Sequence, residues 1–507
     1  MKKRLLVFLN PAVALSILVL PSYASAGSIA DMFRFSGYLQ SDIRFNIDAY
    51  RGPVAGQGYN FSKNQNDVDM RVEFQPFSKM LAVAEPHIRF FGFSQAYDLN
   101  TLSVRENVDP FDVRLEEAYI MLKGLISDKV DLKIGRMITN WGSIDIFSPT
   151  DNINAHDFSD PLDWAAKIPN QMVELDIYPT DWLQLTAIWI PVFKPSQLPD
   201  SAVLGFAPTY NQNGCVASFP APPVTADTAW KLYNMFGAVG DPCRLNLYPT
   251  VNLKMPANTI GDSQAAAKAR FKAGDLDISL SYYYGRFTFP VALDAYVEVA
   301  NNQQTGKFDV AYQAEVYFPR MQVIGLDFSY SIPWLFNVGL MGDFTLVIPE
   351  PVTFGLAVPA VQLYTNNVNV PSTPYIKAAV GLDYTFTKWL YANAMYLHGF
   401  FDEFNDMFGL HNYAMLALQM KFFNDELQLM LSGLLDCNDL SSVFYWQATW
   451  VVVPSVEIIV GTLIFGGDIN ASNDNPYPPR MDYAAKYKFG QRAAGRDVAF
   501  LRTKFTW

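Results

Sequence analysis

The stretch MVELDIYPTDWLQLTAIW, Met172–Trp189, carries two runs of strict alternation around a turn. Val173, Leu175 and Ile177 alternate with Glu174 and Asp176. After Pro179-Thr180-Asp181-Trp182, Leu183, Leu185, Ala187 and Trp189 alternate with Gln184 and Thr186. A period of two sends one set to one face of a strand and the other set to the opposite face. Just upstream lies GRMITNWGSIDIFSPTDNINAHDFSDPLDWAAKIPNQ, Gly135–Gln171, which has no period. Its core, 138–170, is a segment of about 33 residues, rich in Asp, Asn, Pro and Trp and far longer than an ordinary connection. That segment reads as a long functional loop joining two strands of a large membrane barrel, one before it and the one that follows at Val173.

The same alternation recurs along the chain. Phe33, Phe35, Leu39, Ile43 and Phe45 alternate with Arg34, Tyr38, Gln40, Asp42 and Arg44. Val68, Met70, Val72 and Phe74 alternate with Asp69, Arg71 and Glu73, and past a turn Ala82, Ala84, Ile88 and Phe90 alternate with Glu85, His87 and Arg89. Further copies lie at 276–282 and 376–384, while 427–436, 442–453 and 456–467 are strand-like but apolar throughout. The expected fold is all-β: a closed antiparallel transmembrane barrel of about 18 strands, with 16 as the smaller alternative.

Alternation also suits a soluble sandwich, so other features decide. Short turns at 333–334, 387–389, 423–426 and 454–455 take turns with long polar loops near 48–66, 138–170, 192–261, 348–374 and 468–496. Outer-membrane barrels show that asymmetry, with tight periplasmic turns and long outer loops. The body is large for one sandwich. The chain ends on Ala499, Leu501, Thr503, Phe505 and Trp507, a strand with a terminal aromatic that resembles the assembly signal of bacterial outer-membrane barrels. In lipid a sheet must close on itself to satisfy its backbone groups.

The N-terminus agrees. Lys2, Lys3 and Arg4 precede an apolar run from Leu5 to Leu20, and Ala24-Ser25-Ala26 offers a cleavage site, so 1–26 reads as a signal peptide and 27–507 as the barrel. No later stretch is apolar for the roughly 18 residues of a spanning helix. Removing the signal moves the net charge from −12 to −15. An acidic exported chain is a poor partner for nucleic acid. Three cysteines are too few for a disulfide scaffold; Cys215 and Cys243 are close enough in sequence to pair, which leaves Cys437 over.

If the apolar face meets lipid, the polar face lines the lumen. The pore-lining candidates are Arg34, Arg44, Asp69, Arg71, Glu73, Glu85, His87, Arg89, Glu174 and Asp176. Facing rows of opposite charge select polar solutes by a transverse field, whereas a row that pairs with itself is only a wet lining. The loop 138–170 supplies constriction candidates Trp141, Asp145, Asp151, Asn154, Asp157 and Trp164. Its aromatics either fold it into the lumen or form a girdle at the membrane surface. Its oxygen ligands suit calcium, although the EF-hand spacing is absent and Asx residues also make ordinary turns; otherwise no cofactor is expected. The Pro-rich loop 192–261, with a short helix expected near Thr228–Phe236, reads as a lid or an outer cap.

Covalent chemistry has little support. Hydrolysis by a serine needs a base in reach and a third group to orient it. The nearest approach to a nucleophile elbow, Gly92-Phe93-Ser94-Gln95-Ala96, lies at a strand end, and His156 beside Asp157 reads as a surface pair. No enzyme is expected.

Gly135-Arg136, Trp141-Gly142, Asp145, Pro149-Thr150-Asp151, Asn154, Asp157 and Lys167-Ile168-Pro169, with Trp189-Ile190-Pro191-Val192-Phe193-Lys194-Pro195, resemble a proteobacterial family of porin-like outer-membrane β-barrels of unknown function. His156 departs from that pattern. The resemblance spans about 114–195 and implies an envelope transport role for hydrophobic compounds or lipids. Genes of that family often lie beside RND-type transporters, which implies an inner-membrane RND-type partner. The reading is an outer-membrane channel or transporter, monomeric or trimeric, for small or hydrophobic solutes, in contact with membrane lipid and lipopolysaccharide. The alternatives are an outer-membrane lipid or peptide hydrolase and a plugged structural or adhesive barrel.

Overall fold

In the computed structural model, the described residues are 29–47, 61–144, 146–163, 165–198, 209–210, 216–218, 245–302, 307–358, 363–370, 373–400, 403–404, 410–438, 440–466 and 497–507. The signal peptide, Asp145, Trp164, Cys215, Cys243 and the helix expected at Thr228–Phe236 lie outside them. Eighteen strands form one sheet. The first six are β1 Phe33–Asn46, β2 Phe61–Phe77, β3 Met80–Phe91, β4 Phe111–Leu122, β5 Val130–Met137 and β6 Asn170–Thr180. Next come β7 Leu183–Ile190, β8 Gln264–Ala273, β9 Leu276–Arg286, β10 Arg320–Ile332, β11 Val338–Pro349 and β12 Tyr375–Thr387. The last six are β13 Leu390–His398, β14 Asn412–Phe422, β15 Leu427–Asp436, β16 Ser442–Val453, β17 Val456–Gly466 and β18 Val498–Thr506.

Each strand pairs antiparallel with the next, and β1 also pairs with β18 from Tyr38↔Thr506 to Asn46↔Val498. The sheet is therefore a closed barrel without an edge. At the seam, Gly37 exchanges backbone hydrogen bonds with Trp507 at 3.2 and 3.3 Å. A Cβ on Gly37 would lie 2.9 Å from the Trp507 ring, so the seam closes there only because that position has no side chain.

Period two fixes which face is which. Leu39, Val113, Leu280, Ile376 and Leu501 point outward and are exposed, a continuous apolar surface that only lipid would cover. Trp182, Trp334, Trp389, Phe423 and Trp507 are exposed at the short-turn end, where amphipathic rings suit a membrane interface. Polar residues on the alternate positions point inward.

The long-loop end differs from a set of plain loops. The expected loop at 48–66 is shorter, because β2 begins at Phe61. Segments from the connections β7–β8, β9–β10 and β11–β12 form a second, five-stranded sheet. Its order is Leu245–Lys254, Lys307–Tyr317, Val291–Asn302, Val352–Val358 and Leu363–Val370. Two of its pairings are parallel, which hairpins cannot make, so it is built from separate loops.

Candidate permeation site

On the inner wall of β1–β6, charge is dense and largely self-paired. Arg71 reaches Glu85 at 2.6 Å, Glu117 at 2.8 Å and Glu73 at 3.1 Å. Arg89 and Arg114 converge on Asp112 at 2.5 and 2.6 Å. His87 lies 3.5 Å from Asp67 and 3.7 Å from Glu116. Glu174 pairs with Lys133 at 2.5 Å and accepts the Thr139 hydroxyl at 2.7 Å. Asp176 accepts from Thr186 and Gln184 at 2.6 and 3.0 Å. Asp69 is buried beside this network, and Arg34 is exposed near the short-turn end. Opposite charges thus alternate within one wall rather than facing each other across the lumen.

The segment 138–169 enters the barrel and touches nearly every side of it. Asn154 ties its two ends, accepting the Thr139 N–H at 2.9 Å and donating to the Met137 and Ile168 carbonyls at 3.1 Å. Across the lumen, Asp343 of β11, wholly buried, accepts the N–H groups of Ser143 (2.9 Å) and Ile144 (3.2 Å). The turn that aims both N–H groups passes through Gly142 at φ +98°. A Cβ there would sit 2.6 Å from Asp343 Oδ2. Trp141 is buried inside, its ring 5.7 Å from the Lys268 ammonium, which pairs with Asp327 at 3.3 Å. Of the two readings of the loop's aromatics, Trp141 thus takes the one inside the lumen.

Ile144 and Phe147 then pack into a cluster with Ala379, Leu397, Tyr413, Leu434, Val443, Leu463 and Val498 on β12–β18. This explains why β15–β17 are apolar on both faces: lipid covers one and the inserted segment the other.

On the far side, Asp160 meets Arg44 of β1 at 2.6 Å and Lys63 of β2 at 3.0 Å. Asp42 backs Arg44 at 2.6 Å and binds Arg502 of β18 at 3.0 Å. Burial opposes the charge on Asp160, yet its hydrogen bonds to Arg44 win and hold the carboxyl well below the ordinary range. Asp151 pairs with Lys167, and Asp157 makes an Asx turn to the Ser159 N–H (2.9 Å) and lies 3.8 Å from Arg114. These carboxylates meet cations and N–H groups, and no group of three His, Cys, Asp or Glu among the described residues is placed to hold a metal.

His156 is buried against Phe158, ring centroids 5.5 Å apart, so the surface-pair expectation is overturned. Burial, with Lys167 and Lys377 nearby, pushes its pKa down to about 3 and keeps it neutral. The Ser94 hydroxyl donates to the Asn107 carbonyl at 3.0 Å and accepts the Ala96 N–H. The pore-lining and constriction candidates read from the sequence did not include Asp42, Lys63, Asp160, Lys268, Asp327, Asp343 or Lys377. Asp327 and Asp343 did carry a signal: each is the lone acid of its strand and stands at an inward position.

Inward side chains near the long loops are buried by this insertion, whereas Arg34 and Gln419, toward the short turns, stay exposed. Among the described residues, the lumen is thus narrowed in its long-loop half and lined by exposed polar side chains in the other.

No family model matches the sequence, and no curated protein is similar to it at the sequence level. Among solved structures, OccAB3 of Acinetobacter baumannii aligns over 94% of this chain and 100% of its own, with 10% identity and a TM-score of 0.45. OccK11 (OpdR) of Pseudomonas aeruginosa aligns over 95% and 96%, with 10% identity and a TM-score of 0.44. Salmonella typhi OmpF, in a complex with daunomycin, aligns over 94% and 97%, with 10% identity and a TM-score of 0.36.

Proposed function

We propose that this chain is a channel of the bacterial outer membrane that passes small or hydrophobic solutes without covalent chemistry. One observation carries the reading: a closed wall with a polar lining, narrowed by its own segment 138–169, which is clamped at Asp343 and Arg44 on different sides of the lumen. A barrel serving only as a scaffold has no need of a lining rich in charge; a conduit for water-borne solutes does. The self-paired charges of β1–β6 give a wet, weakly selective wall, so discrimination falls to the inserted segment. The family resemblance adds an inner-membrane RND-type transporter as the proposed partner.

Reconstitution of the mature protein in a planar bilayer tests this. Discrete conductance steps with weak ion preference are expected. A silent bilayer, with no uptake of neutral or hydrophobic solutes into proteoliposomes, contradicts the channel. The plugged-barrel alternative has one observation in its favour, the apolar packing of Ile144 and Phe147 against β12–β18. The silent outcome would select it.

A further inference from the structure

Four cations stand on the lipid-facing side of the wall at the long-loop end of β5–β10, and permeation uses none of them. Arg136 extends the outward row of Ile134, and its register partner Gln171 is exposed. Beyond β7, Phe193 turns inward onto Phe318, ring centroids 4.9 Å apart, which leaves Val192 and Lys194 on the outer side. Arg286 extends the outward row of Leu280, Tyr282 and Tyr284. Its register partner Arg320 heads the outward row of Gln322, Ile324 and Leu326, with its guanidinium 5.4 Å from the centre of the Tyr284 ring. Exposed tyrosines below and cations above are the order of side chains at a membrane–water interface.

The acids nearby do not cancel this charge. Arg286 and Arg320 share one carboxylate, Asp262, at 2.7 and 3.0 Å. Glu350 accepts the Arg320 backbone N–H at 2.8 Å. Among the described residues, no carboxylate pairs with Arg136 or Lys194. Arg136 spends Nε on the Leu115 and Glu116 carbonyls at 2.5 and 3.1 Å, and Lys194 donates to the Pro169 carbonyl at 2.9 Å. Burial and then the Arg136 charge push the Lys194 pKa down, against a smaller pull from Glu116. The patch is therefore positive on a chain whose net charge is −12.

It has two halves, Arg136 with Lys194 and Arg286 with Arg320. Two strand steps, from β7 to β9, set them roughly 10 Å apart, a spacing that a disaccharide spans. Phosphate suits both halves, because guanidinium and ammonium groups bind it by charge-assisted hydrogen bonds.

We propose that this rim docks lipid A, the anchor of lipopolysaccharide, with one phosphate at Arg136 and Lys194 and the other at Arg286 and Arg320. Its acyl chains would lie along the outward rows below. The inference goes beyond permeation and rests only on the barrel's place in the outer membrane.

The test is native mass spectrometry of the full mature barrel released from detergent. The probes are bisphosphoryl lipid A, monophosphoryl lipid A of the same acylation, and phosphatidylglycerol. The bisphosphoryl form is expected to bind about tenfold more tightly than the monophosphoryl form, the size of one charge-assisted contact, and phosphatidylglycerol more weakly than either. Equal binding of the two lipid A forms, or of lipid A and phosphatidylglycerol, overturns the proposal. So does inorganic phosphate that displaces lipid A at equal concentration, since the rim would then hold a bare anion. Arg136→Gln/Lys194→Gln removes no carboxylate pair within the protein. It is expected to weaken bisphosphoryl lipid A at least about tenfold while phosphatidylglycerol binding and SDS resistance stay unchanged. Unchanged lipid A affinity in that folded variant also overturns the proposal. If the variant loses its fold, the wild-type lipid series decides alone. Conductance is recorded on the same preparation. A silent barrel that selects bisphosphoryl lipid A strikes only the channel; a conducting barrel indifferent to it strikes only the rim.

Discussion

Asp160 lies 116 residues from Arg44 in the chain and 2.6 Å from it in the fold. Its folded pKa is depressed, so the clamp's stabilisation is present above the ordinary carboxylate range. It is lost only as pH falls through a folded-state value well below that range. Asp160→Ala is expected to leave Arg44 facing Asp42 alone and to cost the segment about 1–3 kcal/mol locally, less than a fully buried pair because Asp160 keeps some exposure. Faster hydrogen exchange within 146–163, with the strands unchanged, is the expected readout. Uniform exchange across the protein would refute a local clamp.

His156 behaves in the opposite sense to an acid-resistant clamp. Its base is pushed down to about 3, so the unfolded segment takes up a proton near 6.5 and the folded one does not. Stability of the segment therefore falls as pH drops from about 6.5 toward 3. Asp151, its carboxyl pushed up by burial, contributes in the reverse direction. Between pH 7 and pH 5, protection factors in 146–163, taken relative to the intrinsic exchange rate at each pH, should fall in the wild type, and less so in His156→Phe, which keeps the stack on Phe158. An equal fall in both would show that another group titrates.

At the scale of elements, the strands were legible because period two survives in any sheet that has one wet and one oily face. Met172–Trp189 became β6 and β7 with Glu174, Asp176, Gln184 and Thr186 inside, as the alternation demands. The five-stranded loop sheet was not legible, for the same reason: Val291–Asn302 alternates just as a barrel strand does, and period alone does not say which sheet it joins. The inserted segment was legible as long and unusual, but its contacts were not. Ser143 meets Asp343 across 200 residues of sequence, and Asx-rich runs read equally as turns, ligands or clamps.

Closure itself is a property of β1 and β18 together. Gly37→Leu places a side chain against Trp507 and the β2 backbone where there is no room. That variant is expected to fail assembly, seen as loss of the SDS-resistant band on unheated gels. An unchanged band would mean that the seam lies elsewhere.

For the whole molecule, the claim is that a closed eighteen-strand wall holds water on one side of an inserted, clamped segment. The most direct measurement is single-channel conductance of the double variant Asp160→Ala/Asp343→Ala beside the wild type. With both clamps gone, the segment is expected to withdraw, and unitary conductance should rise at least twofold, roughly as pore cross-section dictates. An identical conductance in the two proteins would contradict the account, because the segment could not then be what narrows the path.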